Sequence, residues 1–177
     1  MTDALNSERR RHVAAMLASG GVVLTAAEID RIEIIDFGLG RFETEGLGIV
    51  VYVNNPRYCA KELVLWPNQA CPQHRHPPVG DDPGKTETFR CRSGECYLYL
   101  DGPATASPAR SAPVGQEKHY AAGREIVLRP GGQFTIPPNT WHWFIAGPAG
   151  AVVSEFSSTS RDEADVFADP AIRRVET

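Results

Sequence analysis

The sequence predicts an all-β single domain, a small barrel or jelly roll preceded by a short helical arm. Three observations carry that expectation. The chain has 177 residues, and single cores typically span roughly 100–200 residues, so about one domain is expected. Helix start and stop signals are confined to residues 1–30. From residue 31 onward, short segments rich in β-branched and aromatic residues recur. Gly, Pro, Asn or Asp separates most of them, as antiparallel turns require.

In chain order, Ser7 caps a helix running to about Ser19, with Gly20 and Gly21 as its stop. Thr25-Ala26-Ala27-Glu28 reads as a capping box that opens a second short helix before Asp30. Strands are expected over 31–37, 47–53, 62–66, 87–91, 95–100, 125–128, 133–136, 142–146 and 151–156. Within 95–100, Cys96, Leu98 and Leu100 alternate with Glu95, Tyr97 and Tyr99, so one face packs on a core. The stretch 102–123 is poor in apolar residues and holds three prolines, which reads as a long loop. Residues 157–177 are charged with scattered apolar side chains and suit a segment wrapped over the body. The expected organisation is a helical arm over 1–30 and a barrel with its wrapping segment over 31–177, one domain overall.

Composition removes several classes of function. With 18 Lys+Arg against 22 Asp+Glu the net charge is −4, the wrong sign for a nucleic-acid partner, which needs clustered positive charge. No stretch approaches the roughly 20 apolar residues of a membrane span. Arg9-Arg10-Arg11 precedes a small-residue apolar run, but His12, Ser19, Gly20 and Gly21 interrupt it and a helix explains it better than a leader. Cys59, Cys71, Cys91 and Cys96 contain no C-x-x-C, so reduced, mostly buried thiols and a cytoplasmic location are expected.

The strongest chemical signal is His74-Arg75-His76. Residues two apart in a strand share a face, so both imidazoles can reach one ion. Glu87 supplies a hard oxygen at the start of a later strand, and His142, between Trp141 and Trp143, a third nitrogen. Three nitrogens and a carboxylate suit zinc, manganese, iron or nickel and leave coordination positions open for substrate. His12, on the basic helix, and His119, in a polar loop, read as ordinary surface or hydrogen-bonded histidines.

The spacing around these residues resembles the paired motifs of the cupin superfamily. Glu87 is followed after six residues by Gly94, and Gly131 after five by Pro137, then Asn139 and His142. Two departures are visible. Asn68 and Asn139 stand where cupins commonly have Gly, and Asn is the residue that best tolerates a left-handed turn in its place. Ten residues, 77–86, separate His76 from Glu87, an insert that reads either as a lid over the mouth or as an ordinary surface loop.

Within cupins the chain resembles the bacterial D-lyxose isomerase family of metal-dependent aldose–ketose isomerases. The stretches IDFGLGRFE, RYCAKELVLWP, CPQHRHPP, GKTETFRCRSGE, IPPNTWHWF and VVSEFSSTSRDEAD carry the likeness. The resemblance implies His74, His76, Glu87 and His142 as ligands of one divalent ion, manganese foremost, with zinc, iron, cobalt or nickel as alternatives. It also implies that Lys85, Glu155 and Asp165 meet the sugar, with Asp162 only three residues from Asp165.

The residues themselves argue for two of these roles. Lys85 lies two before Glu87, so its ammonium falls on the ligand face if the strand has begun, where it stabilises charge on a sugar oxygen. Glu155 sits in the largely apolar run Ala151-Val152-Val153-Ser154-Glu155-Phe156. Burying an unpaired carboxylate is costly, so it needs a partner, a metal or a catalytic task. A salt bridge with Arg90 or Arg92 is the structural alternative. Trp66, Trp141, Trp143, Phe89 and Phe144 are candidate pocket walls, at least half of them expected to be plain core.

The implied reaction interconverts D-lyxose and D-xylulose, with D-mannose and D-fructose as further substrates, by proton transfer between C1 and C2 of the open-chain sugar. A hydride shift is the rival route. A cupin Fe(II) dioxygenase and a non-catalytic sugar-binding cupin are the competing functions. The expected partners are a pentose or hexose and a second copy of the chain, because small barrels commonly cover exposed strand edges that way.

Overall fold

A computed structural model of the chain describes residues 3–174. Two helices, α1 (Asp3–Ser19) and α2 (Ala26–Asp30), lead into nine strands among the described residues. These are β1 (Glu33–Ile35), β2 (Leu47–Asn54), β3 (Cys59–Leu65), β4 (Ala70–Arg75), β5 (Glu87–Leu100), β6 (Arg124–Leu128), β7 (Gln133–Ile136), β8 (His142–Ser157) and β9 (Val166–Phe167). They form one curled antiparallel sheet in the order β1-β2-β3-β8-β4-β9, with β5 paired to β8, β6 and β7. This is the all-β barrel the sequence predicts.

The long β5–β8 ribbon organises the barrel. The half of β8 near Val153 also pairs with β3, while the half near Phe144 also pairs with β4. Each is expected from sequence as two strands, yet each is one strand with its turn-like residues absorbed. Register shifts flank Ser93 and Gly94, and β8 runs through Gly147–Gly150. Gly94 has φ 70°, and a Cβ there would stand 2.0 Å from the Gly150 carbonyl oxygen. Only glycine lets the two strands approach this closely.

The interior holds one apolar cluster, built from Leu47, Ile49, Leu63, Phe89, Leu98 and Phe144 among others. Two more clusters cover the outside. Val13 and Leu17 of α1 pack on Ile32, Ile34, Val50, Val64 and Val152, so the arm's apolar stripe is used on its own barrel. Under the 102–123 loop, Tyr97, Tyr99, Trp143 and Tyr120 pack together, with Tyr99 stacked on Trp143 at 4.0 Å. The face of β5 opposite Leu98 is therefore buried too. All four cysteines are free and buried.

Three local expectations are corrected. The first helix begins at Asp3, and Ser7 lies inside it, because Asp3–Asn6 contain no breaker. Only Glu33–Ile35 of 31–37 is strand, after which Phe37 and Gly38 adopt positive φ. A strand is expected at His74-Arg75-His76 but not delimited, because Pro72 and polar side chains hide its buried pattern; β4 spans Ala70–Arg75 and His76 lies just beyond it. The capping box at Thr25 and Glu28 is present, with both reciprocal bonds formed.

Candidate metal centre and catalytic pocket

His74 near the end of β4 and His142 at the start of β8 are direct cross-strand partners, so antiparallel pairing places both rings on the inner face. His76 lies one residue beyond β4, and Glu87 opens β5. One potential ligand atom from each of the three histidines lies within 4.8 Å of the others. Glu87 Oε1 stands 3.1 Å from His76 Nε2 and 3.0 Å from His142 Nε2. All four residues are buried.

The tautomers are fixed from behind. His74 Nδ1 faces the Pro72 carbonyl at 2.8 Å, and His142 Nδ1 faces the Thr140 carbonyl at 2.9 Å. His76 Nδ1 instead faces Asp165 Oδ1. Each Nδ1 is thereby engaged on its outer side, which leaves each Nε2 turned inward, the orientation a metal ligand needs. His142 is fully buried, and its Nε2 has no hydrogen-bond partner despite its closeness to Glu87. A buried ring nitrogen so left is costly unless something coordinates it. The three-histidine cluster fits a divalent metal ion.

Burial and neighbouring charges move the ionisable groups of the cluster away from their ordinary values. Burial, reinforced by His142 and His76, holds His74 well below the ordinary imidazole value. Burial also opposes charge on His76, but Glu87 and Asp165 overcome it and raise that imidazole to about 9. For Glu87, burial is outweighed by the Lys85 ammonium and His76, which hold its carboxyl well below the usual range. Burial disfavours the Lys85 ammonium, yet Glu155 and Glu87 raise it well above the ordinary lysine value.

Lys85 Nζ lies 2.8 Å from Glu87 Oε2 and 2.6 Å from Glu155 Oε1, although it precedes β5 rather than belonging to it. Ser157 Oγ donates to the same Glu155 oxygen at 3.1 Å. The Arg90 or Arg92 bridge to Glu155 does not occur. Arg92 pairs with Glu62 and Arg90 with Gln133, both away from this cluster. These groups line a cavity whose opposite wall is Phe37, Leu47, Ile49, Leu63, Phe89 and Phe144.

Of the expected aromatic walls, Phe89 and Phe144 line the cavity and the three tryptophans do not. Trp66 packs on Phe42 beneath α1, Trp143 joins the outer tyrosine cluster, and Trp141 lies under Arg75. Strand alternation explains Trp143, which follows inward-facing His142 on β8 and must face outward. Sequence reasoning missed Lys61, Arg174, Phe37 and Phe167 as lining residues. Lys61 aligns with Glu155 across β3 and β8, a signal readable once register is known. The 77–86 insert folds back through paired Val79 and Asp82, and Asp82 binds Arg161 across the mouth. His12 contacts Trp66, and His119 lies 3.7 Å from Asp169, both away from the cluster.

A curled antiparallel barrel with three inward histidines, a carboxylate and a buried lysine–glutamate pair defines a β-barrel built for polar small-molecule chemistry. Comparison with known proteins sharpens that class. Residues 31–177 match the D-lyxose isomerase family, and the chain belongs to that family, whose members are sugar isomerases. It is 55% identical over 168 residues to a D-lyxose ketol-isomerase of Cohnella laeviribosi, covering 95% of this chain and 92% of that one. It is 54% identical over 168 residues to a D-lyxose/D-mannose isomerase of Thermosediminibacter oceani, covering 95% and 93%. The fold matches Cellulomonas parahominis L-ribose isomerase with a TM-score of 0.80 at 18% identity, over 100% of this chain and 97% of that one.

Proposed function

We propose that the protein interconverts D-lyxose and D-xylulose, and D-mannose and D-fructose, at this pocket. The observation that carries the reading is the Lys85–Glu155 pair beside the three-histidine cluster. D-Mannose repeats the C2, C3 and C4 configuration of D-lyxose and adds one carbon, so a site reading those centres accepts both. The chain's family membership and its similarity to proteins named for lyxose and mannose support the assignment. They favour it over the dioxygenase and non-catalytic readings.

In this reading His74, His76, Glu87 and His142 hold one divalent ion, manganese foremost. Bound there, such an ion supplies Lewis acidity toward the carbonyl and adjacent hydroxyl of the open-chain sugar. The Glu155 carboxylate takes the C2 proton of the aldose, and the C–H electron pair becomes the C1–C2 double bond of an enediol. Lys85 donates toward O1 as negative charge develops there. The proton on O2 then leaves toward Lys85, and Glu155 returns its proton to C1, giving the ketose. Ser157, which donates to Glu155, orients the carboxylate. Asp165 lines the same cavity, with Oδ1 turned to His76, so it stands beside the sugar in this reading.

Ketose formation should be assayed across an aldose panel in deuterated solvent, with and without added Mn²⁺. Ketose from D-lyxose with solvent deuterium at C1 supports the proton route. Ketose without solvent label points to hydride shift, and no ketose from any aldose overturns the reading. The second copy of the chain and a cytoplasmic setting belong to the same proposal. Sedimentation at micromolar concentration tests the dimer.

A further inference from the structure

We infer that Asp165 is a positioning residue for the metal centre, through which docking of residues 158–174 and metal binding favour one another. The inference rests on the metal reading of the histidine cluster.

The three imidazoles are not held alike. His74 and His142 each turn Nδ1 to a carbonyl only two residues back, so their orientation is set by their own strand ends. His76 lies beyond β4 and its Nδ1 partner is Asp165, 89 residues away. A carboxylate facing Nδ1 fixes the tautomer with Nε2 inward and raises the ring's basicity toward a cation. Without it, the His76 ring loses its outer anchor.

The segment bearing Asp165 is built around the same histidines. Val166 pairs with Arg75 and Phe167 with His74, and continuing that register sets Asp165 opposite His76. The Phe167 ring lies 5.5 Å from the His74 ring and 5.7 Å from Phe37. Upstream, Lys61 and Arg174 both hold Asp162, and Asn54 exchanges two hydrogen bonds with the Ser160 backbone. The Asp165 carboxylate is nearly inaccessible, with 5% of its side chain exposed. An ion that needs His76 correctly aimed therefore favours the docked segment, and by linkage the docked segment favours the ion.

The test titrates Mn²⁺ into the metal-free full chain, counting free ion by electron paramagnetic resonance, and follows hydrogen exchange over 158–168 with and without Mn²⁺. Asp165→Ala should weaken Mn²⁺ binding about 10- to 100-fold. In the wild type Mn²⁺ should slow exchange in the segment, and in Asp165→Ala it should not. Asp165→Asn, nearly isosteric, decides the matter if Asp165→Ala fails to fold, and a several-fold loss of affinity is expected there. Unchanged affinity in a folded variant, or no Mn²⁺-linked protection in the wild type, overturns the inference while the metal reading stands. A wild type that binds neither Mn²⁺ nor Zn²⁺ overturns both.

Discussion

Lys85 Nζ sits 2.6 Å from Glu155 Oε1, and both side chains are almost wholly removed from solvent. The same ammonium reaches Glu87 at 2.8 Å, so one cation joins the candidate metal ligand to the candidate base. Taking charges out of water costs more than a pair usually returns, and an arrangement kept for stability alone could be replaced by apolar groups. The geometry is better explained as one that holds a carboxylate and a proton donor side by side against substrate carbon and oxygen.

Glu155→Gln follows directly. The amide keeps the shape and the hydrogen bond from Ser157 but cannot accept a carbon-bound proton. We expect kcat for D-lyxose to fall about 10²- to 10⁴-fold, the usual weight of a general base, with Mn²⁺ binding retained. Deuterium exchange into recovered sugar should fall in parallel. Turnover within a few-fold of wild type would remove Glu155 from the reaction.

His142→Ala should abolish stoichiometric metal, because the variant deletes a buried imidazole nitrogen, Nε2, that has no hydrogen-bond partner and faces the cluster. Metal that binds only the native state stabilises it by about 2.7 kcal/mol at 100 times Kd. The wild-type melting temperature should accordingly rise with Mn²⁺ and fall with chelator, and the variant's should respond to neither. Metal analysis and thermal unfolding read the two effects separately.

What the sequence disclosed follows from the range of each signal. The pair His74 and His76 is legible because two-residue spacing means one face, and Asn68 and Asn139 adopt φ of 59° and 55° as their left-handed reading requires. Trp143 was assignable by the same rule, since it neighbours His142 on a strand and must face away. The contact between His76 and Asp165 spans 89 residues and depends on a two-residue strand that no periodicity could reveal. The merging of two expected strands into β5 and two into β8 likewise depends on bulges at glycines, which in sequence look like turns.

Asp162 gives the acid limb of stability. Burial raises its carboxyl, but Lys61 and Arg174 outweigh burial and bring it below the ordinary aspartate value of 3.8. A group depressed on folding stabilises the native state above its unfolded value and loses that contribution as pH falls through the folded one. Urea midpoints should therefore drop as pH is lowered below about 4. Asp162→Asn should flatten this limb and also lower neutral-pH stability, because Lys61 then remains buried with Ser160 as its neutral partner. A variant whose acid limb is as steep as wild type would exclude Asp162 as its source.

Gly84 tests whether the 77–86 insert supports the metal centre. It holds φ 102°, and a Cβ there would lie 2.4 Å from the His76 carbonyl oxygen, which also accepts from Asn139 N at 3.1 Å. Gly84→Ala must push on the backbone of a candidate ligand, a contact no side-chain rotation can relieve. Gly80 is the control, with φ 59° and nothing within 4 Å of its would-be Cβ. Gly80→Ala meets only left-handed backbone strain of about 1–2 kcal/mol and should leave Mn²⁺ affinity unchanged. Gly84→Ala should cost more stability and should also weaken Mn²⁺ binding. Equal affinities in the two variants would show that the insert and the histidines are mechanically independent.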